Sequence, residues 1–336
     1  MLKDLEKRLK SNVAPIYLLV GTEEYLLEKA EDLIVNEVLK GEVDDFNFQT
    51  YDLKETQVSV ALEDAQTPSF FGNNKVIIVK PCIFLTAQKE KLLQNIDSLT
   101  EYIEDPSPFT TLIFVAPFEK LDERKKITKL LKKHAELVEC KPIEIDNLTD
   151  WIKQHFPPTI TITEDAIQKI KDLVGSNLSI LNSECEKLAL YIGESGEITA
   201  ELVEKMVAKS IEQNVFSLVE KIAARNTTEA LTIFRELLAV GEEPIKILAL
   251  LASQFRLIYG IKNLSSNGYS NNQIASSLSV SPGRIFYGQK QANLFEDKEL
   301  KHIIQLIAET DYAMKTGQAD KILLTELLML KMNCIG

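Results

Sequence analysis

The sequence predicts an α/β domain built on a parallel sheet, followed by an all-α region. Three observations carry that expectation. Strand-like and helix-like segments alternate through residues 1–141, five of them are short runs of strand length, and strand patterning nearly ceases after Pro142, beyond which apolar residues recur at helical spacing.

Residues 16–20 form an apolar run that stops at Gly21, and residues 22–39 then place Leu26, Ala30, Leu33 and Val38 on or near one helix face. Strand-like runs recur at 46–51, 76–79, 112–115 and 136–140, with helix candidates at 58–65, 87–103 and 122–134 between them. Five strands with interleaved helices make a doubly wound sheet the economical architecture. Beyond Pro142, residues 148–155, 164–174, 178–192 and 200–210 read as short helices, the last two opened by Asn177 and Thr199 as caps. Segments 216–224, 228–240, 244–264, 272–278, 284–294, 298–315 and 321–332 continue as a helical bundle, with turns at Gly241-Glu242-Glu243-Pro244 and Ser265-Ser266-Asn267-Gly268. The chain shows no internal repeat and no low-complexity linker. It divides into residues 1–141, 142–211 and 212–336.

A chain of 336 residues, 45% hydrophobic and 26% charged, has the composition of a globular protein of two or three domains. Residues 2–9 are charged and amphipathic, with no apolar signal core, and no segment supplies eighteen uninterrupted apolar residues. We expect a cytoplasmic protein with no membrane partner. Cys82, Cys140, Cys185 and Cys334 lie far apart with no metal-ligand spacing, and are expected as buried, reduced thiols. The formal charge of −12 opposes free-standing nucleic-acid binding. Its distribution is uneven: residues 1–211 carry 25 Lys and Arg against 37 Asp and Glu, whereas residues 212–336 carry 13 of each. Any DNA contact is therefore local or shared with other subunits.

The pair Phe70-Phe71 stands between Pro68-Ser69 and Gly72-Asn73-Asn74, so turn formers flank two large apolar rings. Either the rings fold back onto their own domain, or they anchor a partner, where burial contributes roughly 1.5–3 kcal/mol each.

The first strand, glycine turn and helix occupy the place of a phosphate-binding loop, G-x-x-x-x-G-K-[ST]. That motif uses backbone amides, a lysine and a hydroxyl to hold phosphates and magnesium. Counted from Gly21, Leu26 stands for the second glycine, Leu27 for the lysine and Glu28 for the hydroxyl. Glu23 and Glu24 fall in the first helical turn, where carboxylates suit the positive helix end and repel phosphate. The strand at 76–79 runs into Lys80-Pro81, where a magnesium site needs acids. Nucleotide hydrolysis is not expected. His134, His155 and His302 have no spacing suggesting a metal site or triad, and no G-x-S-x-G elbow is present. Asp122-Glu123-Arg124-Lys125-Lys126 reads as a solvated helix face. We expect no catalytic residue, no metal and no cofactor.

Residues 270–282, S-N-N-Q-I-A-S-S-L-S-V-S-P, have the rhythm of a helix-turn-helix unit. The following segment offers Arg284, Lys290 and two glutamines for DNA, while Ile285, Phe286 and Tyr287 look like packing residues. Structural packing is the preferred reading, with a DNA-binding regulator as its rival.

With these residues in place, nearly the full chain resembles the delta subunit family of the bacterial DNA polymerase III clamp loader. The resemblance rests on I-Y-L-L-V-G-T-E-E-Y-L-L from Ile16, P-S-F-F-G-N-N-K-V-I-I-V from Pro68, and L-I-F-V-A-P-F-E-K-L-D-E-R-K-K from Leu112. It extends to N-L-S-I-L-N-S-E-C-E-K-L-A-L-Y from Asn177, N-V-F-S-L-V-E from Asn214 and G-E-E-P-I-K-I-L-A-L-L-A-S-Q-F-R from Gly241. It implies an AAA+-like sheet domain without ATPase activity (1–141), a helical lid (142–211) and a collar (212–336) that assembles with motor and delta-prime subunits. The implied role is to bind and open the sliding clamp, meeting primed DNA only within the assembly. The family's clamp-contacting apolar pair falls on Phe70 and Phe71, although other members carry Leu-Phe, which makes Phe71 the firmer match. Ser69 and Gly72, with Gln66, Thr67 and Pro68, would shape the presentation of the pair. Within the same resemblance, an ATP-binding loader subunit with degenerate motifs is the alternative.

Overall fold

The computed structural model describes residues 1–69, 74–278, 280 and 282–333. The chain separates into two compact units, Met1–Pro142 and Ile143–Gly336.

In the first unit, strands β1 (Ile16–Val20), β2 (Phe48–Asp52), β3 (Lys75–Lys80), β4 (Thr110–Ala116) and β5 (Glu136–Glu139) form one sheet of order β2-β3-β4-β1-β5. Every pairing is parallel, with Leu18 of β1 opposite Phe114 of β4 and Leu137 of β5. β4 is buried along its whole length and β3 along nearly all of it. This burial explains why the sequence shows continuous apolar runs there rather than alternation. On one face Leu18, Ile77, Leu112 and Phe114 pack under α3 (Val58–Ala65), α4 (Ile96–Glu104) and α5 (Lys126–His134). The opposite face is covered by α2 (Glu24–Leu39), on which α1 (Leu2–Ser11) packs through buried Leu5 and Leu9. Helices thus lie on both faces, as a doubly wound sheet requires.

The local departures have physical causes. Residues 2–9, noted in the sequence only for lacking a signal core, belong to α1. β2 begins at Phe48 because the Asp44 carboxylate accepts the Phe46 and Asn47 amides at 2.8 and 2.9 Å, closing a turn that leaves Phe46 exposed. The expected helix over residues 87–103 is confined to α4. A 3-10 turn, Ile83–Leu85, precedes an irregular segment held by Gln94, whose amide oxygen accepts the Val58 amide at 2.6 Å while its nitrogen donates to the Leu53 carbonyl at 3.0 Å. The Asp122 run is a turn rather than a helix face. Arg124 forks onto the Asp122 carboxylate at 2.9 and 2.8 Å, holding that carboxyl down at about 2.

The second unit opens with α6 (Ile145–His155), α7 (Glu164–Val174), α8 (Leu178–Ile192) and α9 (Ala200–Met206). Asn177 and Thr199 do cap α8 and α9, accepting the Ile180 and Leu202 amides at 3.2 and 3.3 Å. α9 ends four residues before the expected Ser210, which instead caps α10 (Ile211–Ala223). Two strands absent from the sequence expectation, β6 (Ile160–Ile162) and β7 (Gly196–Ile198), pair in parallel. Three residues each are too few to show a period.

After α10 come α11 (Thr227–Ala239), α12 (Pro244–Ser266), α13 (Asn271–Leu278), α14 (Pro282–Ala292), α15 (Asp297–Lys315) and α16 (Lys321–Asn333). α12 is central, packing against α10 and α13 to α16. Among the described residues it alone is long and apolar enough to cross a membrane, but Leu251, Phe255, Ile258 and Ile261 are sealed in the bundle core. The Phe255 and Phe295 rings meet edge to face, 5.6 Å between centroids. A Cβ on Gly288 of α14 would lie 2.4 Å from Ile261 Cδ1, so a larger residue there requires the Ile261 side chain of α12 to move. Cys82, Cys140 and Cys185 are buried free thiols, and Cys334 lies outside the described residues. Burial pushes the Cys140 and Cys185 thiols up to about 12 and Cys82 higher still.

Phe255→Ala should lower the stability of the bundle by about 3–5 kcal/mol through lost burial and a residual cavity. Urea unfolding of the full chain measures this, and a loss under about 1 kcal/mol would show that the site collapses around the deletion.

Candidate functional site

The segment carrying the aromatic pair joins α3 to β3. Phe70, Phe71 and Gly72 lie outside the described residues, whereas both stems are defined. On the N-terminal side, the Gln66 amide donates to the Leu62 carbonyl at 3.0 Å, and the Thr67 hydroxyl donates to the Glu63 carbonyl at 3.0 Å. Ser69 is half-buried, with an Oγ that is buried and has no hydrogen-bond partner among the described residues. On the C-terminal side, the Asn74 side chain donates to the Val38 carbonyl at 3.2 Å, and the Lys75 amide donates to the Phe109 carbonyl at 2.8 Å.

One side chain joins the two stems. The Lys75 ammonium, with a side chain 4% exposed, meets the Asp64 carboxylate at 2.5 Å and donates to the Asp64 and Thr67 carbonyls at 2.9 and 3.2 Å. The Asp64 carbonyl lies in the last turn of α3, where the dipole favours a cation, and the Thr67 carbonyl two residues beyond the helix end. The Tyr51 hydroxyl donates to the other Asp64 oxygen at 3.0 Å, and burial, reinforced by Asp64, pushes that phenol up to about 12. Thr110 completes the seam by donating to the Ala65 carbonyl at 2.7 Å.

The turn after β1 is closed. The Gly21 amide donates to the Ala116 carbonyl at 3.2 Å and the Glu23 amide to the Cys140 carbonyl at 3.1 Å. Gly21 has φ +152°, and a Cβ there would lie 1.9 Å from the Cys140 oxygen. Contact with the end of β5 therefore demands the glycine. Leu26 and Leu27 are core residues, 6% and 5% exposed, and Glu28 is exposed. Glu23 stands at the N-cap of α2, where burial raises its carboxyl above the usual range against the opposing Tyr25 amide. At the end of β3, the Lys80 ammonium donates to Glu31 at 2.6 Å. Burial holds the Glu31 carboxyl above its usual value despite that partner.

The helix-turn-helix rhythm maps onto α13 and α14. Ile274, Ala275 and Ile285 are buried in the bundle. Tyr287 meets Phe216 edge to face at 6.1 Å, and buried Gln291 donates to the Phe216 carbonyl at 2.8 Å. The Lys290 ammonium lies 4.7 Å from the centre of the Phe286 ring. Ile285 and Tyr287 are thus committed to packing, whereas Phe286, expected to pack, is 48% exposed under the Lys290 ammonium. His134 and His302 are exposed, His155 stacks at 4.9 Å on Trp151, and no cluster among the described residues could hold a metal ion.

Two family models match: the DNA polymerase III delta subunit over residues 17–141, and its C-terminal domain over residues 212–332. The chain is 44% identical over 336 residues to the DNA polymerase III subunit delta of Bacillus subtilis (strain 168), covering 99% of this chain and 97% of that one. The chain belongs to the DNA polymerase III delta subunit family. Its fold agrees. The Bacillus subtilis DNA clamp loader delta protein superposes with a TM-score of 0.83 at 43% identity, covering 99% of both chains.

For this delta-family chain, sequence reasoning named the aromatic pair and the altered phosphate loop but missed Lys75. The signal was faint: a lysine opening an otherwise apolar strand run, K-V-I-I-V. Lysine is rarely buried without a partner.

Lys75→Met should destabilise the chain by about 2–4 kcal/mol, because the Thr67 carbonyl loses its lysine donor and the quarter-exposed Asp64 carboxylate loses its counter-ion. Amide exchange at residues 64–69 should accelerate more than in β4, and uniform acceleration would show that the seam is not local. Glu23 gives a second test. Because burial raises its folded pKa, it stabilises the fold while protonated and loses that contribution as pH rises through the folded value. Glu23→Gln should therefore change little at about pH 4 and raise the melting temperature at about pH 7; a fall at pH 7 would mean that the ionised carboxylate supports α2.

Proposed function

We propose that this chain binds and opens the sliding clamp during its loading onto primed DNA, without hydrolysing ATP itself. The observation that carries the reading is the closed turn after β1. Leucines fill the core at the motif's glycine and lysine positions, and the residue at the N-cap of α2 is itself an acid, Glu23. An anion has neither space nor counter-charge there. The hydrogen-bonded stems on either side of residues 70–73 support a role for the pair as a partner contact.

In this reading Phe71, helped by Phe70, enters an apolar pocket on the ring, and Ser69 and Gly72 shape the approach. Two rings contribute roughly 3–6 kcal/mol of burial before association costs are subtracted. Preferential binding to the open ring shifts its population toward open without chemistry in this chain. Residues 1–141 form the clamp-engaging AAA+-like domain, 142–211 the lid, and 212–336 the collar that meets the motor and delta-prime subunits. Primed DNA is encountered in that cytoplasmic assembly.

Phe71→Ala should leave the far-UV spectrum and melting temperature nearly unchanged while abolishing pull-down of the clamp. Retained pull-down removes the anchor assignment. Equilibrium dialysis with labelled ATP should show no saturable binding to the isolated chain, and micromolar affinity would return it to the motor class.

A further inference from the structure

The first unit is acidic, with 19 lysines and arginines against 25 acids, yet residues 124–134, R-K-K-I-T-K-L-L-K-K-H, contain six lysines and arginines and no acid. The structure orders this run. Lys126, Lys129 and Lys133 are exposed and fall at i, i+3 and i+7 of α5, one face of the helix, with Lys132 beside them. Ile127 and Leu131, on the opposite side, are buried in the core that also takes Leu99, Tyr102 and Ile103 of α4.

Two of the surrounding charges are satisfied: Arg124 by Asp122 and Lys132 by Glu123. Lys126, Lys129 and Lys133 have no ion-pair partner among the described residues. The exposed acids of neighbouring α4, Asp97, Glu101 and Glu104, make no ion pair with them either. Helix stability accounts for Lys133, in the last turn where a cation suits the negative end of the dipole, but not for Lys126. The N-cap of α5 is Lys125, which makes no side-chain cap, and Lys126 adds a further cation at the positive end of the dipole.

We propose that this lysine face of α5 is a contact for the phosphodiester backbone of DNA, read without regard to sequence. The inference rests on the clamp-loading role proposed above. From Lys126 to Lys133 the helix advances about 10.5 Å, close to the axial length of three phosphates of one strand at about 3.4 Å each. Lysine is a point charge suited to phosphate, whereas base reading calls for the bidentate geometry of arginine or an amide. A protein partner fits less well, because the face carries no aromatic anchor. An anionic membrane fits less well too, because the apolar side of α5 is already spent on the sheet. The acidity of the remaining chain keeps the contact weak until other subunits add their own.

The test uses the loader assembled from the full-length chain and its partner subunits, a labelled primed-template oligonucleotide, and fluorescence anisotropy between about 50 and 200 mM salt. The triple variant Lys126→Ala, Lys129→Ala, Lys133→Ala should bind about tenfold or more weakly at low salt, with a log–log salt slope shallower by about 2–3. The corresponding triple arginine variant should retain wild-type behaviour. Clamp pull-down by the same chains, without DNA, separates the two readings. An unchanged DNA slope with intact clamp binding overturns this inference alone, and a wild-type chain that neither binds the clamp nor confers DNA binding removes the role beneath it. Loss of binding to phosphatidylglycerol vesicles with DNA binding intact would reassign the face to lipid and also overturn the proposal.

Discussion

A buried ammonium fixes the geometry on which the candidate site depends. Lys75 opens β3, yet its side chain ends α3, so the two elements flanking residues 68–74 close on the same charge. Taking a lysine out of water is costly unless the charge is paired and its protons are shared. Here the Asp64 carboxylate and the carbonyls of Asp64 and Thr67 do both. The Tyr51 hydroxyl holds the second oxygen of Asp64, tying β2 into the same knot.

The turn after β1 keeps the element order of a phosphate-binding unit with other residues in the motif positions. Strand, glycine and helix remain in the order of a phosphate-binding unit, but the glycine is required by the carbonyl of Cys140 rather than by an incoming anion. The leucines that follow have become part of the apolar layer between α2 and the sheet. Such a unit is better understood through what it positions than through what its topology once bound.

Much of this was legible in the sequence wherever a single local rule decided the outcome. β1, α3, α7 and α8 have the limits that apolar periodicity and capping residues give them. The expected helix at 87–103 failed because helix-forming residues there are overruled by one glutamine, whose amide satisfies backbone groups of two other elements. β6 and β7 depend on pairing between segments more than thirty residues apart, which no window of that length reveals. The aromatic pair and the leucines of the altered loop could be named from residue types alone. Lys75 could not, because a lysine at a strand start reads as solvent-facing until the carbonyls of another helix are brought to it.

The two features sit at opposite ends of the sheet. All five strands are parallel, so Gly21 closes the C-terminal end of β1 while residues 68–74 enter the N-terminal end of β3. β3 is six residues long, which separates those ends by about 20 Å. Changes to the turn at Gly21 therefore reach the aromatic segment only through the sheet or through α2, and both are packed rigidly. That separation explains how the phosphate grip can be replaced by leucines without disturbing the stems around Lys75.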